Sequence, residues 1–273
     1  MSLLKYTSLS ILIVFTACGE DVEGTVAPPE RFELVFADEF DGPAMSPPNP
    51  DNWGFDLGGD GFGNNQLEFN TNRLENARLD GEGHLEIVAR RETLGTNAFT
   101  SARIQSKDRV EVRFGRIEAR IKQPSGQGVW PAFWMLGADF PEESWPGVGE
   151  IDVMEFCGQE PRTIHGSLHG PAFFAGNALT NTLVRPDNQP GFDEEFHVYT
   201  VQWDPTRITW EVDGEVYQVI AANSVGPEAW VYDDPFFLIL NIAVGGVFCG
   251  DPDPSTVFPQ TMEVDYVRVF QRN

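Results

Sequence analysis

Apolar and polar residues alternate along several short segments of the chain, as they do on strands that bury one face. Residues 84–90 (HLEIVAR) show this period of two, and residues 236–244 (FFLILNIAV) form a continuous apolar run typical of a buried strand. Residues 207–220 break at Asp213-Gly214, a pair typical of a tight hairpin. The domain shows no sustained amphipathic helix pattern. These features predict an all-β fold, in which two antiparallel sheets pack face to face as a sandwich or jelly roll.

The first 18 residues depart from this pattern and are typical of an export signal. Lys5 gives a lightly basic start, residues 9–15 form an apolar run apart from Ser10, and the segment ends in Thr16-Ala17-Cys18. This ending resembles the lipobox of bacterial lipoproteins, so we expect lipidation of Cys18 and a membrane contact only through that lipid. The alternatives are ordinary cleavage with secretion, and an uncleaved anchor, although the apolar run is too short to span a bilayer. All three place the folded domain outside the cytoplasm.

The remaining chain divides simply. Residues 19–30 are acidic and contain proline, which is typical of a linker. Residues 31–273 contain no second linker or repeat, and we expect one domain and a monomer.

Charge narrows the choice of partners. The chain has 18 Lys+Arg and 42 Asp+Glu, a net charge of −24, with 41% hydrophobic residues. This is the composition of a globular protein that does not bind nucleic acid. A negative domain also attracts no polyanion beyond the Debye length of about 8 Å. The excess of negative charge therefore favours a neutral polysaccharide substrate over a sulfated one.

Two of the three cysteines lie in the predicted domain, Cys157 and Cys249. In an exported protein such a pair predicts a disulfide. Two thiols without nearby His or Cys partners cannot complete a zinc site. Two buried free thiols are the alternative.

Three acids lie close together in residues 149–156 (GEIDVMEF). On a regular strand Glu150 and Asp152 share a face, whereas Glu155 points the other way. A β-bulge at Val153–Met154 would return Glu155 to the face of the other two acids. Like charges repel, so such a cluster retains at least one proton. One ionised and one protonated carboxyl group are what glycosidic hydrolysis needs, with Glu150 as nucleophile, Glu155 as acid/base and Asp152 as the residue that balances the proton.

Tryptophans precede these acids. Trp130 and Trp134 would share one face of a strand, and Trp145 lies in a Gly/Pro-rich loop just before the acids. Indole rings pack on the apolar faces of sugars, so all three are candidate substrate contacts. The alternative for Trp130 and Trp134 is that each belongs to the core.

The segments GVWPAFWML (128–136) and WPGVGEIDVMEF (145–156) resemble glycoside hydrolase family 16. They are most similar to its laminarinase-like bacterial members, which carry the extra bulge residue represented here by Met154. The resemblance extends over nearly the whole domain. It implies a curved, concanavalin A-like jelly roll with a cleft on its concave face, and endo-acting, retaining hydrolysis of β-glucans. It assigns Glu150, Asp152 and Glu155 the roles given above, with no cofactor for catalysis.

The resemblance also implies further substrate contacts. Asn65 matches a substrate-contacting Asn of the family, while Gln66 and Asn70 depart from frequent family residues and leave the non-reducing-side subsites open. His169 is expected at the cleft edge, with a structural histidine as the alternative. Asn241 either reaches the cleft or satisfies backbone groups.

A structural calcium ion is common in the family. Matching positions are Glu39 and Gly83, through backbone oxygens, and the carboxylate of Asp265. Solvated surface acids are the alternative reading of Glu39 and Asp265.

Several substrates and one different class of protein remain open. The laminarinase-like segments predict β-1,3-glucan, with mixed β-1,3/1,4-glucan or agarose as rivals. A noncatalytic glucan-binding surface protein is the alternative outside enzymes, and the three acids favour the enzyme.

Overall fold

The computed structural model describes residues 32–272. The predictions for the signal at residues 1–18, for Cys18 and for the linker at residues 19–30 lie outside this part of the chain. Within residues 32–272, no helix has the length and apolar character needed to cross a membrane.

Strands dominate the described residues. The helices there are one 3-10 turn at Ala175–Asn177 and α1 at Ala222–Val225. The strands are β1 (Phe32–Asp38), β2 (Gly54–Phe55), β3 (Glu68–Asn70), β4 (Ala77–Leu79), β5 (Leu85–Ala89), β6 (Phe99–Ser101), β7 (Arg103–Gln105), β8 (Glu111–Val112), β9 (Gly115–Lys122), β10 (Val129–Gly137), β11 (Glu150–Glu155), β12 (Thr163–His169), β13 (Leu179–Val184), β14 (His197–Asp204), β15 (Arg207–Val212), β16 (Glu215–Ala221), β17 (Phe236–Val244) and β18 (Gln260–Arg272).

Two eight-stranded antiparallel sheets contain nearly all of these strands. Sheet 1 has the order β16-β15-β14-β9-β18-β5-β4, with β1 also paired to β18. Sheet 2 has the order β13-β12-β11-β10-β17-β7-β2, with β8 also paired to β17. The short strands β3 and β6 form a separate parallel pair. The prediction of an all-β fold of two antiparallel sheets is confirmed.

The main core lies between the two sheets. On β17, Phe236, Leu238 and Leu240 belong to this core, because alternate side chains of a strand point to the same face. Phe237 belongs to a smaller apolar cluster on the opposite face of sheet 2. We call that opposite face, which points away from sheet 1, the outer face of sheet 2.

Candidate active site

A bulge in β11 decides where the third acid points. Asp152 and Glu155 pair with Ser167 and His165, which are only two residues apart on β12, so β11 has one extra residue there. The pairing of β11 with β10 shifts at the same place. The side chains of Val153–Met154 both lie in the main core. The predicted bulge is therefore present, and Glu155 shares the outer face of sheet 2 with the other two acids.

Burial raises the pKa of each acid. The pKa of Glu150 rises to about 8, through burial first and the charge of Asp152 second. Burial raises the pKa of Asp152 to about 8, and burial followed by the charge of Asp152 raises the pKa of Glu155 to about 8. Because the charge of Asp152 acts on both Glu150 and Glu155, the three acids titrate as a group. The cluster can therefore hold a carboxylic acid beside a carboxylate, as glycosidic hydrolysis requires.

Arg103 of β7 distinguishes Glu150 from the other acids. The guanidinium carbon of Arg103 lies 4.6 Å from the centroid of the Trp134 ring, and its Nε lies 2.8 Å from Oδ2 of Asp56. The positive charge of Arg103 lowers the pKa of Glu150, against the larger effect of burial. Arg103 therefore favours the ionised form of Glu150, although burial opposes that form more strongly.

Glu155 is held by two hydrogen-bond donors. The indole N–H of Trp130 donates to its Oε1 at 3.2 Å, and the hydroxyl of Ser167 donates to its Oε2 at 3.2 Å. The Thr180 hydroxyl lies 2.9 Å from the Ser167 oxygen. Both donors lower the pKa of Glu155 against the effect of burial. They also fix the carboxyl group in one orientation, which an acid/base residue needs.

His169 lies beside the first two acids. Its Nδ1 accepts a hydrogen bond from the backbone N–H of Ala175 at 3.2 Å, so the neutral ring carries its proton on Nε2. This Nε2 lies 3.1 Å from Oδ2 of Asp152 and 3.5 Å from Oε1 of Glu150. The ligand atoms of these three residues lie within 4.8 Å of one another, a spacing that a metal ion can bridge. The proton on Nε2 favours contact with the carboxylates over metal ligation.

The three tryptophans differ in how much of the ring is accessible. Trp145 is 37% exposed, and its ring lies 5.9 Å from His169 and 5.6 Å from Phe174. Trp130 is only 8% exposed, and Trp134 is covered on one face by a guanidinium. Trp145 is therefore the indole that offers the most surface to a sugar ring.

Two predicted contact residues lie toward the β17 side of the site. Asn241 accepts a hydrogen bond from the indole N–H of Trp134 at 2.8 Å, rather than from the backbone. Asn65 is exposed and has a positive φ of 57° in the loop before β3. Its neighbour Gln66 pairs with Gly245, just after β17, which places this loop beside the strand that carries Asn241.

Comparison with known proteins identifies the family. The model of the family described as "Glycosyl hydrolases family 16" matches residues 64–268. The chain belongs to this family. A "Beta-glucanase" of Rhodothermus marinus is 40% identical, over 96% of this chain and 92% of that protein.

Solved structures agree with this assignment. The laminarinase catalytic domain of Thermotoga maritima superposes with a TM-score of 0.83 at 41% identity, over 88% of this chain and 98% of that one. The endo-β-1,3-glucanase of Pyrococcus furiosus superposes with a TM-score of 0.85 at 42% identity, over 89% of this chain and 96% of that one. The family resemblance and the jelly-roll fold expected from the sequence are confirmed.

Sequence reasoning gave no role to two side chains at the centre of this family 16 hydrolase. Ser167 alternates onto the same face as His165 and His169, and that periodicity is the signal that could have identified it. Arg103 carries no such local signal, because its position beside the acids depends on the order of four strands of sheet 2.

A disulfide joins Cys157 and Cys249 of the family 16 hydrolase, with their Cα atoms 5.4 Å apart. Cys157 lies two residues after Glu155. Cys249 follows Phe248, whose ring lies 5.2 Å from the ring of Trp130. The bond therefore ties the chain just after β11 to the loop whose Phe248 packs on Trp130, one of the two donors to Glu155.

The side chains of the residues matched to calcium are already paired with cations. Both carboxylate oxygens of Glu39 accept hydrogen bonds from Arg268 at 2.8 Å. Oδ2 of Asp265 accepts a hydrogen bond from Arg120 at 2.5 Å. A guanidinium on the only carboxylate of the set opposes a divalent cation there. The Arg120 contact therefore opposes calcium at Asp265, whereas the Arg268 contact involves only the side chain of Glu39 and does not bear on the backbone oxygens of Glu39 and Gly83.

Proposed function

We propose that this chain is an endo-acting, retaining hydrolase of β-1,3-glucan. The observation that carries the proposal is the bulge, which places Glu150, Asp152 and Glu155 on one face of sheet 2. The surroundings of the acids differ in the way that a two-step hydrolysis needs. Glu150 has a neighbouring cation, and Glu155 has two neutral hydrogen-bond donors.

In the first step, the ionised carboxylate of Glu150 attacks the anomeric carbon and forms a glycosyl ester. The bond from this carbon to the leaving oxygen breaks, and Glu155 gives its proton to that oxygen. In the second step, Glu155 takes a proton from water, whose oxygen attacks the same carbon and releases Glu150. Two inversions at one carbon retain its configuration. Asp152 shares the proton of the cluster and keeps Glu150 in place.

Three lines of support point to neutral β-1,3-glucan as the substrate. The relatives that share most of their length with this chain are named beta-glucanase, laminarinase and endo-β-1,3-glucanase. The chain carries a net charge of −24, which disfavours polyanionic polysaccharides. The exposed ring of Trp145 beside His169 offers the apolar contact that an uncharged sugar accepts.

Reducing-sugar release from laminarin tests the proposal. We expect release by the wild-type chain, with the β-anomer formed first in NMR spectra of the products, and background rates for Glu150→Ala. Glu155→Gln should lower kcat by about 10²–10⁴-fold. If wild type and Glu150→Ala both bind laminarin but neither releases sugar, the chain is the glucan-binding protein instead. Equal release by both would exclude Glu150 as the nucleophile.

A product profile on laminarin, lichenan and agarose tests the linkage. We expect a ladder of internal cleavage products from laminarin and little product from agarose. Faster cleavage of lichenan than of laminarin would favour the mixed-linkage alternative.

We further propose that the chain is exported and anchored through lipidated Cys18, and that it acts as a monomer. The motif around Cys18 supports the anchor. Incorporation of labelled palmitate by wild type but not by Cys18→Ala tests it, and light scattering tests the monomer. For calcium, the prediction from family resemblance stands against the contact of Arg120 with Asp265 described above, and calorimetric titration of the metal-free protein with calcium decides between them.

A further inference from the structure

Side chains of sheet 1 donate hydrogen bonds across the core to the backbone at the bulge in β11. The indole N–H of Trp210, on β15 of sheet 1, crosses the core and donates to the carbonyl of Asp152 on β11 at 2.8 Å. Trp210 is completely buried. We propose that Trp210, together with its cross-strand partner Gln218, is a positioning residue that fixes the bulge and thereby the placement of Glu155. This inference rests on the proposed function in taking Glu155 as the acid/base.

A bulge needs such a partner because it interrupts the ladder of backbone hydrogen bonds. Gly166 is the one residue of β12 that lies opposite both Val153 and Met154. Buried backbone groups next to the interruption must find other partners. Trp210 supplies one for the carbonyl of Asp152, which is the residue immediately before the extra one.

A glycine in β12, Gly166, leaves room for the indole ring of Trp210. A Cβ atom at Gly166 would lie 2.4 Å from the Tyr217 hydroxyl and 2.6 Å from Cδ1 of Trp210, closer than real contacts allow. Glycine at this position therefore leaves the path by which the indole reaches Asp152. Gln218, paired with Trp210 across β15 and β16, donates from Nε2 to the carbonyl of Gly166 at 3.1 Å. The cross-strand pair of Trp210 and Gln218 thus donates one hydrogen bond to β11 and one to β12 at the bulge.

The chemical consequence concerns the register of β11. Without the bulge, the strict alternation of the strand would turn Glu155 away from Glu150 and Asp152. The hydrogen bond from Trp210 to the Asp152 carbonyl in its bulged position favours this productive register. Loss of this bond should displace Glu155 relative to the sugar, and small displacements at a reacting centre lower kcat strongly. Substrate binding by the outer-face side chains should change much less.

Replacement of Trp210 by phenylalanine tests the proposal, because it keeps an aromatic ring and removes the N–H. Trp203→Phe is the matched control. Trp203 is also a buried indole of sheet 1, and it donates to the backbone carbonyl of Tyr232 at 2.9 Å rather than to a residue of β11. We expect similar losses of Tm in both variants of the full chain. Only Trp210→Phe should lower kcat on laminarin, by about tenfold or more, with KM within about twofold.

A second readout does not depend on hydrolysis. Titration of carboxyl groups by ¹³C NMR, with the Glu155 signal assigned from Glu155→Gln, reports the surroundings of that acid. We expect its midpoint to move by at least about half a unit in Trp210→Phe and to stay in place in Trp203→Phe. If wild type proves inactive on every glucan, the proposed function fails, and the midpoint still decides the positioning role.

Equal changes of kcat and of midpoint in the two variants would overturn the proposal, because both would then reflect lost stability alone. An unchanged midpoint in a folded Trp210→Phe protein would overturn it as well. If that variant does not fold, Gln218→Met removes the second donor and is judged by the same two measurements, with a smaller expected effect.

Discussion

The hydroxyl of Ser167 donates a hydrogen bond to Oε2 of Glu155 over 3.2 Å. This bond links the acid/base of the proposed reaction to β12, the strand opposite the bulge. It stabilises the ionised form of Glu155 and therefore lowers its pKa against the effect of burial. The Ser167 oxygen also lies 2.9 Å from the Thr180 hydroxyl oxygen, so hydrogen bonds to two residues fix the position of the Ser167 hydroxyl.

Ser167→Ala should therefore raise the pKa of Glu155. Glu155 must be protonated for the first step, so the alkaline limb of kcat/KM should move to higher pH, by up to about one unit, since one pKa unit is about 1.4 kcal/mol. The measurement is the pH profile of laminarin hydrolysis at low substrate concentration. Ser167→Thr keeps the hydroxyl and is the control. A profile that moves to lower pH, or moves equally in both variants, would exclude this role of the hydroxyl.

Trp145→Ala should weaken substrate binding without affecting the fold. The ring is 37% exposed beside His169, so we expect KM for laminarin to rise about tenfold, equivalent to about 1.4 kcal/mol, with kcat nearly unchanged. Phe140→Ala is a matched control, because Phe140 has the same exposed fraction of 37% in the loop that follows β10. Equal effects of the two substitutions on KM would show that Trp145 makes no specific contact with the sugar.

The alternation of apolar and polar residues was sufficient to predict the two sheets. Period two by itself turns Glu155 away from Glu150, and the bulge in β11 was predicted because hydrolysis needs the acids on one face and because the family resemblance gives Met154 as an extra residue. The family motifs added the roles of these acids. All of this information lies within short stretches of the chain.

Contacts between distant strands could not be predicted in the same way. The position of Arg103 beside the acids depends on the strand order of sheet 2, in which β10 and β17 lie between β11 and the strand of Arg103. Trp210 belongs to the other sheet. Asn241 was expected to contact sugar or backbone, and it accepts a hydrogen bond from Trp134. Such partners depend on strand order and on the packing of the two sheets, which local periodicity does not encode.

Glu68 should make the stability of the protein depend on pH. Burial raises its pKa from the ordinary value of 4.5 to about 7. Between these values the folded chain holds a proton that the unfolded chain has released, so the free energy of unfolding falls as pH rises from about 4.5 to about 7. The contribution is at most about 3.5 kcal/mol, at about 1.4 kcal/mol per pKa unit.

Glu68→Gln tests this dependence in urea unfolding at several pH values. The glutamine mimics the protonated acid, so the variant should lose less stability than wild type between pH 5 and 7. Glu92→Gln is the control, because a hydrogen bond from Arg73 lowers the pKa of Glu92 and its protonation change lies at more acidic pH. Equal slopes for wild type and Glu68→Gln would show that Glu68 does not titrate in this range.

The Cys157–Cys249 disulfide should stabilise the domain and hold in place the loop whose Phe248 packs on Trp130. It closes a loop with a sequence separation of 92 residues, for which the chain-entropy model gives about 4.6 kcal/mol. We expect Cys157→Ala/Cys249→Ala to lose about 2–5 kcal/mol in urea unfolding under oxidising conditions. Under reducing conditions the wild type should lose a similar amount of stability, while the stability of the double variant should not change further.

The alkaline limb of the pH profile of kcat/KM supplies a separate readout of the disulfide. Phe248 packs on Trp130, and Trp130 donates to Glu155, so a freed loop should weaken this donor and move the limb to higher pH. A stability that is insensitive to reductant, with the bond broken as judged by thiol titration, would contradict the stabilising role.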